Sequence, residues 1–274
     1  ISFDEDLLSS KDILRRNILH QRILVIGGAG TIGSSYIKQL LKYKPSKLIV
    51  VDINENGLTE LTRDLRSSDY LDYSPEYVTY PVNLLSDTFD KIFNSDKWQV
   101  VANFSAHKHV RSEKDKISVE ALIKNNVYGA IKLLNLCNDN PPEHFFSVST
   151  DKAANPVNIM GASKSLMEKL ILSKKDAFRV STARFANVAF SNGSLLDGFI
   201  HRLSKKQPLT CPEDIKRFFV TPEQSGQICL LSTFLGESGN IFFPKLDFHN
   251  DQIYFKEIAL DFLKDNGFEP ELVN

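Results

Sequence analysis

The stretch Ile23-Leu24-Val25-Ile26-Gly27-Gly28-Ala29-Gly30-Thr31-Ile32-Gly33 decides the fold of this chain. Four apolar strand-forming residues lead into glycines spaced as GxxGxxG, and residues 32–41 continue with the periodicity of a helix. Such a turn is typical of diphosphate sites, because a helix N-terminus offers N–H groups and a positive dipole. We expect Gly27 to allow the tight turn, Gly30 to admit a diphosphate, and Gly33 to let helix and strand pack closely. Thr31 and Ile32 would supply the first N–H groups of the helix.

Strand and helix patterns alternate through the first two thirds of the chain. Six strands are predicted, at residues 23–26, 48–51, 77–82, 100–104, 145–148 and 180–185, and most of them are nearly continuous apolar runs. The predicted helices lie at residues 32–41, 57–66, 87–93, 118–137 and 159–173. Apolar strands that alternate with helices predict an α/β fold with a doubly wound parallel sheet, covered by helices on both faces.

Two polar residues follow strands next to the glycine turn. Asp52 ends the second strand about twenty positions after Gly33, as the dinucleotide-binding motif requires. A carboxylate there accepts hydrogen bonds from ribose hydroxyls and repels a 2′-phosphate, and residues 53–55 contain no Arg or Lys. The sequence therefore predicts an NAD site and favours NAD over NADP, although Asp52 as a simple turn residue stays open. Asn83, at the end of the third strand, is expected near the adenine.

Composition narrows the class of protein. The 274 residues include 33 basic and 34 acidic side chains, so neither nucleic acid nor an anionic membrane is an expected partner. No apolar run is long enough to span a membrane, no signal peptide opens the chain, and the three cysteines are scattered. These features predict a cytoplasmic protein with reduced thiols.

His107 and His109 lack a third ligand at suitable spacing, so no metal site is expected. A start at Ile1 without Met and an abrupt end at Asn274 lead us to expect further residues at both ends.

The last third of the chain has a looser pattern. Residues 191–194 and 207–214 are rich in turn formers, with helix patterns at 195–203 and 223–234. We therefore predict a Rossmann domain over residues 1–190 and a smaller substrate-binding lobe over residues 191–274. Some segments of the lobe would return to the sheet, and the lobe would lie over the carboxyl ends of its strands.

Candidate catalytic groups follow the fifth strand, in Ser149-Thr150-Asp151-Lys152-Ala153-Ala154-Asn155-Pro156 and Asn158-Ile159-Met160-Gly161-Ala162-Ser163-Lys164. Here the chain resembles the extended short-chain dehydrogenase/reductase superfamily, which carries Ser or Thr at this strand end and Tyr-x-x-x-Lys on the next helix. Lys164 matches the Lys, but Met160 stands at the Tyr position. A thioether can neither donate nor accept the reaction proton.

With this departure the chain is similar to one branch of the superfamily, the nucleotide-sugar 4,6-dehydratases of the CapD-like polysaccharide-biosynthesis group, some of which replace the Tyr by Met. The resemblance covers about Arg22 to Phe243. Further matching segments are Ala106-His107-Lys108-His109-Val110, Asn126-Val127-Tyr128-Gly129, Arg184-Phe185-Ala186-Asn187-Val188, Ser191-Asn192-Gly193-Ser194 and Arg217-Phe218-Phe219.

The resemblance implies a UDP-N-acetylglucosamine 4,6-dehydratase with NAD as a recycled cofactor. Hydride would pass from sugar C4 to NAD+, water would leave across C5 and C6, and the hydride would return to C6. Lys152 would be the base at C5, Asp151 the acid for the 6-hydroxyl, Thr150 a partner of the 4-oxygen and Lys164 the ligand of the nicotinamide ribose. An adjacent acid and amine can divide acid and base work, but Asp151 and Lys152 as a solvated loop cap stays open. The group that deprotonates the 4-hydroxyl is unassigned; Lys152 acting through Thr150 or a water is a hypothesis.

The substrate predicted in this way is a UDP-sugar. Lys108 would lie near the sugar and Asn187 and Arg217 near the uracil or diphosphate, with Ser194 also among the substrate-binding residues. The helices at 118–137 and 159–173 would form the face of a homodimer or larger homo-oligomer. Two other functions remain open: a nucleotide-sugar 4-epimerase or reductase of the same superfamily, and a non-catalytic NAD-binding protein.

Overall fold

A computed structural model describes residues 2–108, 113–247 and 251–271. Two helices precede the sheet, α1 (Asp4–Ser9) and α2 (Lys11–Ile18). The alternation that follows is β1 (Arg22–Ile26), α3 (Thr31–Leu41), β2 (Lys47–Asp52), α4 (Glu55–Ser67), β3 (Glu76–Pro81), α5 (Asp87–Phe93), β4 (Val100–Asn103), α6 (Lys116–Ile123), a π-helical segment (Lys124–Tyr128), α7 (Gly129–Asp139), β5 (His144–Val148), α8 (Ile159–Leu172) and β6 (Arg179–Ala183). The chain continues with β7 (Asn187–Val188), α9 (Leu195–Ser204), β8 (Lys216–Val220), α10 (Pro222–Leu235), β9 (Asn240–Phe242), β10 (Gln252–Tyr254) and α11 (Phe255–Asp265).

The main sheet has seven parallel strands in the order β3-β2-β1-β4-β5-β6-β9. The chain starts in the middle, runs outward to β3 and then returns to continue on the other side of β1. This reversal leaves a crevice at the carboxyl ends of β1 and β4, where ligands of doubly wound sheets bind. The predicted α/β fold with a doubly wound parallel sheet is confirmed, and all six predicted strands lie within two residues of their expected ends.

Both faces of the sheet are covered, which explains why most of its strands are nearly continuous apolar runs. On one face, Leu24 and Ile26 belong to a buried cluster with side chains of α5, α7 and α8. On the other face, the Tyr36 ring of α3 lies 4.9 Å from the ring of Phe104 and 6.3 Å from that of Phe146, centroid to centroid.

Helix α10 also packs against α3. A Cβ atom added at Gly226 would lie 2.5 Å from the Ser35 carbonyl carbon, so only glycine permits this approach of the two backbones. Every residue of α10 from Ser225 to Phe234 is buried. The sequence of α10 accordingly lacks the polar stripe of a surface helix.

The chain divides into two compact units. The larger unit contains residues 2–185 and 223–244, and therefore the whole seven-stranded sheet. The described part of the smaller unit contains residues 186–222, 245–247 and 251–271. The boundary between the two units follows residue 185, whereas the boundary predicted between domain and lobe follows residue 190. Helix α10 and strand β9 lie in the range predicted for the lobe, but they belong to the unit that holds the sheet.

The smaller unit has its own sheet and core. Its strands lie in the order β10-β8-β7, with β10 antiparallel and β7 parallel to β8. Leu196 and Phe199 of α9 pack against Ala259 of α11 in a buried cluster. One predicted helix differs from the structure: the continuous helix at 118–137 is α6 and α7 joined by the π-helical segment. Such a segment takes up one extra residue per turn, which sequence periodicity does not resolve.

Candidate functional site

The glycine turn between β1 and α3 requires glycine at its first position. Gly27 has φ +75°, and a Cβ atom there would lie 2.5 Å from the backbone nitrogen of Ser105. The N–H of Gly27 donates to the carbonyl of Val51 (2.7 Å), which ties the turn to the end of β2. The turn is therefore held between the strand ends on both sides of β1, at the reversal of strand order.

The next two glycines of the motif differ in their surroundings. A Cβ atom at Gly33 would lie 2.4 Å from the carbonyl oxygen of Gly27, so Gly33 is needed for close packing of helix and turn. At Gly30 the nearest atom to an added Cβ is the same oxygen at 3.6 Å. Gly30 is also the N-cap of α3, and no side chain caps this helix start. Room at Gly30 and an uncapped helix start, with Thr31 and Ile32 as its first residues, fit the diphosphate of a dinucleotide.

Asp52 lies beside this turn at the end of β2. Its Oδ2 accepts from the N–H of Ala29 (3.0 Å) and its Oδ1 from the N–H of Asn54 (2.9 Å). The carboxylate therefore braces the turn, while each oxygen keeps a lone pair for a ribose hydroxyl. Asn83 follows β3 at the same edge of the sheet and is exposed, with its side-chain oxygen accepting from the N–H of Leu85 (2.8 Å).

Thr150, Asp151 and Lys152 form one hydrogen-bonded group after β5. The Thr150 hydroxyl donates to Oδ1 of Asp151 (2.8 Å), and Nζ of Lys152 donates to the same oxygen (3.2 Å). The Thr150 oxygen also accepts from the Lys152 N–H (3.4 Å) and caps the short 3₁₀ turn Asp151–Ala153. The side chains of Asp151 and Lys152 are 50% and 41% exposed, so both remain accessible to a substrate.

Lys164 and Met160 occupy buried positions on α8. Lys164 is only 4% exposed, and its Nζ donates to the carbonyl oxygen of Val148 at the end of β5 (3.3 Å). Burial lowers the pKa of Lys164 to about 8, against an opposing effect of the Glu168 carboxylate. Met160 is buried as well, so an apolar side chain occupies this position on α8, where the resemblance led us to expect a Tyr.

Three residues that the sequence reasoning did not single out hold the surroundings of Met160. Oε1 of Glu113 accepts from the Met160 N–H (2.6 Å). The Asn126 side chain accepts from the His107 N–H (2.8 Å) and donates to the His107 carbonyl (3.0 Å) and to the Ser163 hydroxyl (3.0 Å). Asn126 and Ser163 lie in segments that carry the resemblance, but no spacing rule connects partners so distant along the chain.

The predicted substrate-binding residues lie in both units. Lys108 is exposed at the end of the segment that follows β4, whereas His109 and Val110 lie outside the described residues. In the smaller unit, Asn187 on β7 donates from Nδ2 to the Phe218 carbonyl (3.4 Å), and Arg217 is exposed on the neighbouring strand β8. Ser194 caps α9, so its oxygen is already engaged by the backbone of that helix. The structure thus brings Asn187 and Arg217 onto adjacent strands.

Two absences hold for the described residues. Among residues 2–108, 113–247 and 251–271, no three His, Cys, Asp or Glu side chains are grouped so that they could hold a metal ion. Within the same ranges, no helix combines the length and hydrophobicity needed to cross a bilayer.

Solved structures share the fold at low sequence identity. Pen from Bacillus thuringiensis superposes with a TM-score of 0.79 at 21% identity, over 92% of this chain and 76% of that one. The dTDP-glucose 4,6-dehydratase DesIV from Streptomyces venezuelae, solved with NAD, gives a TM-score of 0.74 at 20% identity, over 90% of this chain and 82% of that one.

Sequence relatives are more similar than these structures. An uncharacterized membrane protein of Methanocaldococcus jannaschii is 33% identical over 91% of this chain and 74% of its own length. The UDP-N-acetylglucosamine 4,6-dehydratase (inverting) of Campylobacter jejuni is 30% identical, over 82% of this chain and 67% of its own length. The capsular polysaccharide biosynthesis protein CapD of Staphylococcus aureus is 29% identical over 87% of this chain, which spans only 41% of that protein. A UDP-glucose 4-epimerase of Rickettsia bellii is 26% identical, over 81% of this chain and 65% of its own length.

A family model matches most of the chain. The model described as polysaccharide biosynthesis protein matches residues 23–269, from β1 to beyond α11. This match includes the glycine turn, the Thr150–Lys152 group and most of the smaller unit. The chain therefore belongs to the polysaccharide biosynthesis protein family.

Proposed function

We propose that this protein is a nucleotide-sugar 4,6-dehydratase, a lyase that acts on UDP-N-acetylglucosamine and forms a 4-keto-6-deoxy sugar nucleotide for polysaccharide or modified-sugar biosynthesis. The observation that carries the proposal is the Thr150–Asp151–Lys152 group at the carboxyl edge of β5, close in sequence to buried Lys164 and to Met160 in place of a Tyr. The Campylobacter jejuni relative named for this activity supports the choice of reaction and substrate.

The cofactor that fits this site is NAD. The turn at Gly27, Gly30 and Gly33 would hold its diphosphate, Asp52 its adenosine ribose and Lys164 its nicotinamide ribose, with Asn83 near the adenine. The strand-end carboxylate of Asp52 disfavours the 2′-phosphate of NADP. When bound, NAD would take a hydride from C4 of the sugar and return it to C6.

The chain's own residues would move the protons. Two protons leave the sugar, from O4 and C5, and two are returned, one to the departing 6-hydroxyl and one to C5. Lys152 as the free amine would take the C5 proton, and Asp151 as the acid would protonate the leaving hydroxyl. Nζ of Lys152 lies 3.2 Å from Oδ1 of Asp151, so a proton can pass between the two side chains. Thr150 would hydrogen-bond the 4-oxygen, and the positive charge of Lys164 would stabilise negative charge developing there.

The first proton, from O4, has no tyrosine to accept it. Met160 is buried and carries no proton-transfer group. The Thr150 hydroxyl already donates to Asp151, so its oxygen can accept from O4 while its own proton moves on to the Asp151–Lys152 pair. We infer that this relay, directly or through one water, replaces the tyrosine.

The substrate and assembly parts of the proposal concern other surfaces. Lys108 would bind the sugar, whereas Asn187, Ser194 and Arg217 of the smaller unit would bind the UDP part. Ile117, Tyr128 and Leu166 expose apolar surface on α6, the π-helical segment and α8. We therefore expect these helices to form the contact of a homodimer or larger homo-oligomer, which light scattering on the purified protein would measure.

The decisive experiment is incubation of the purified protein with UDP-N-acetylglucosamine in heavy water, followed by proton NMR without added NAD. A dehydratase gives a 4-keto product with a C6 methyl signal and deuterium at C5. A product epimerised at C4 that keeps its 6-hydroxyl would instead establish a 4-epimerase, the activity named for the Rickettsia bellii relative. Unchanged sugar, or a strict need for stoichiometric NADH, would overturn the proposal.

Variants test the assigned roles in the same assay. Lys152→Ala and Asp151→Asn should each lower turnover by at least about 10²-fold, the usual contribution of a positioned acid or base. The matched control is Lys11→Ala, at an exposed lysine of α2. A Lys152→Ala variant as active as the control would mean that Asp151 and Lys152 only cap their loop.

A further inference from the structure

A buried ion pair lies one helical turn behind Lys164. Glu168 on α8 receives two hydrogen bonds from Arg184, which follows β6: Nε to Oε1 at 2.8 Å and Nη2 to Oε2 at 2.5 Å. The Glu168 side chain is 3% exposed and that of Arg184 25%. Two-point contacts of this kind fix the carboxylate in one orientation.

The position of Glu168 relative to Lys164 makes the pair relevant to the site. Residues four apart on a helix lie on the same face, and both side chains are almost completely buried. Burial disfavours the charged form of Lys164, and the Glu168 carboxylate acts in the opposite direction. A carboxylate in such a place needs a counter-charge, because an isolated buried ion is costly. Arg184 supplies it from the other side, at the carboxyl end of β6.

Other charged groups lie on the elements that pack against α8. They are Asp151 and Lys152 of the turn after β5, Lys124 of the π-helical segment, Lys116 and Glu120 of α6, Lys132 and Asp139 of α7, and Arg179 of β6. Lys132 is paired with Asp90, and Arg179 donates to the Gly236 carbonyl. The side chains of Asp151 and Lys152 are half exposed and bonded to each other, and Lys124 is paired with Glu120 at the surface. Solvent screens exposed pairs of this kind, whereas Glu168 acts on Lys164 in a water-poor interior.

We propose that Glu168 and Arg184 are positioning residues that keep Lys164 protonated at the pH of catalysis. The importance of that charge rests on the proposed function, in which Lys164 stabilises the developing charge on the 4-oxygen and holds the nicotinamide ribose. Burial alone would leave Lys164 ready to lose its proton near neutral pH. The carboxylate behind it restores the cationic form, and Arg184 allows that carboxylate to be buried.

The first test needs neither substrate nor cofactor. Protein with ¹³C-labelled lysines is titrated by NMR, and the Lys164 signal is assigned by its absence in Lys164→Met. Glu168→Gln should lower the titration midpoint of Lys164 by one pH unit or more, because a charge pair at the i, i+4 spacing of about 6 Å contributes about 2 units at an effective dielectric constant of about 20. The lost attraction and the newly unpaired Arg184 both act in this direction.

Two further variants make the result specific. Glu120→Gln removes an exposed carboxylate that also pairs with a lysine four residues away, and it should leave the midpoint of Lys164 unchanged. The double variant Glu168→Gln/Arg184→Met removes both charges, and its midpoint should remain below that of the wild type. It also covers the case in which Glu168→Gln alone does not fold, because neutral replacements of buried ion pairs are often tolerated.

The second test is the pH dependence of turnover. The alkaline limb of the kcat profile should shift downward with Glu168→Gln by the same amount as the NMR midpoint, with turnover retained at the acidic end. A Lys164 midpoint within about 0.3 units of wild type in folded Glu168→Gln, and likewise in the double variant, would refute the proposal. If UDP-N-acetylglucosamine is not converted at all, the proposed function fails, while the NMR titration still decides the role of the ion pair.

Discussion

Replacing Lys164 by Met should make the protein inactive and, at neutral pH, more stable. Lys164 is 4% exposed, and burial lowers its pKa from 10.5 to about 8. Between these two pH values the unfolded chain binds more protons than the folded one, so the free energy of unfolding rises with pH in this window. Below pH 8 the full cost of burying the charged amine applies.

The size of the effect follows from the shift. Each pKa unit corresponds to about 1.4 kcal/mol, so the charged Lys164 costs the fold about 3 kcal/mol at pH 7 and less than about 1 kcal/mol at pH 10. Methionine has a similar length and no charge, but it loses the hydrogen bond to Val148, worth about 1 kcal/mol. The Lys164→Met variant should therefore be about 2 kcal/mol more stable than the wild type at pH 7 and of about equal stability at pH 10.

Chemical denaturation of both proteins at several pH values between 7 and 10 measures this difference. Lys11→Met, at an exposed position of α2, is the control and should show no pH-dependent difference from the wild type. A Lys164→Met variant that is less stable than wild type at pH 7, or that differs from it equally at every pH, would refute the reasoning. The expected outcome would mean that Lys164, for which we propose a role in catalysis, is kept at the expense of stability.

Further predictions concern the glycines and a buried histidine. Gly30→Ala has room for its Cβ and should keep its melting temperature but weaken NAD binding at least about tenfold in a fluorescence titration, since the methyl group lies where the diphosphate approaches. Gly27 has φ +75°, and the added methyl group of Gly27→Ala would collide with the backbone of Ser105, which follows β4. This variant should lose more than about 2 kcal/mol of stability, and equal stability of the two glycine variants would contradict the prediction. Burial lowers the pKa of His144 from 6.5 to about 3, so the unfolded chain binds more protons between these values and stability falls as pH decreases through that window. His144→Gln should lose less stability between pH 7 and pH 4 than the wild type, and an equal loss in denaturation experiments would exclude this role. Gly226→Ala forces α10 away from α3 and should cost about 2 kcal/mol, measured in the same way; an unchanged value would show that the helices can separate freely.

Much of the larger unit follows from local sequence signals. Most strands of the sheet from β1 to β6 are short apolar runs bounded by polar residues, and the glycine turn marks where β1 ends and α3 begins. Strand β9 was not predicted, because its three residues at the sheet edge form no period. The placement of α10 also escaped prediction, since a helix buried on most sides has no amphipathic stripe to indicate which surface it joins.

The site was predictable where its members are neighbours in sequence. Thr150, Asp151 and Lys152 form the contact group expected from their adjacency, and their roles stay a prediction. The partnership of Glu113 with Met160, 47 residues apart, was not foreseeable, because it arises only when the fold brings the segment after β4 to the start of α8. The same is true of Glu168 and Arg184, whose identities are visible in the sequence but whose contact depends on how α8 packs against β6.

The position of β9 in the sheet has a consequence for synthesis on the ribosome. Strand β6 pairs with β9 through Ser181 and Asn240, and the intervening residues 186–222 form most of a separate unit. At ordinary translation rates the roughly sixty intervening residues take about 3 to 12 seconds to emerge. During that interval the outer edge of β6 has no partner, and an open parallel edge invites pairing with other chains. A nascent chain arrested between residues 185 and 240 should therefore bind chaperones more strongly than one released after residue 244.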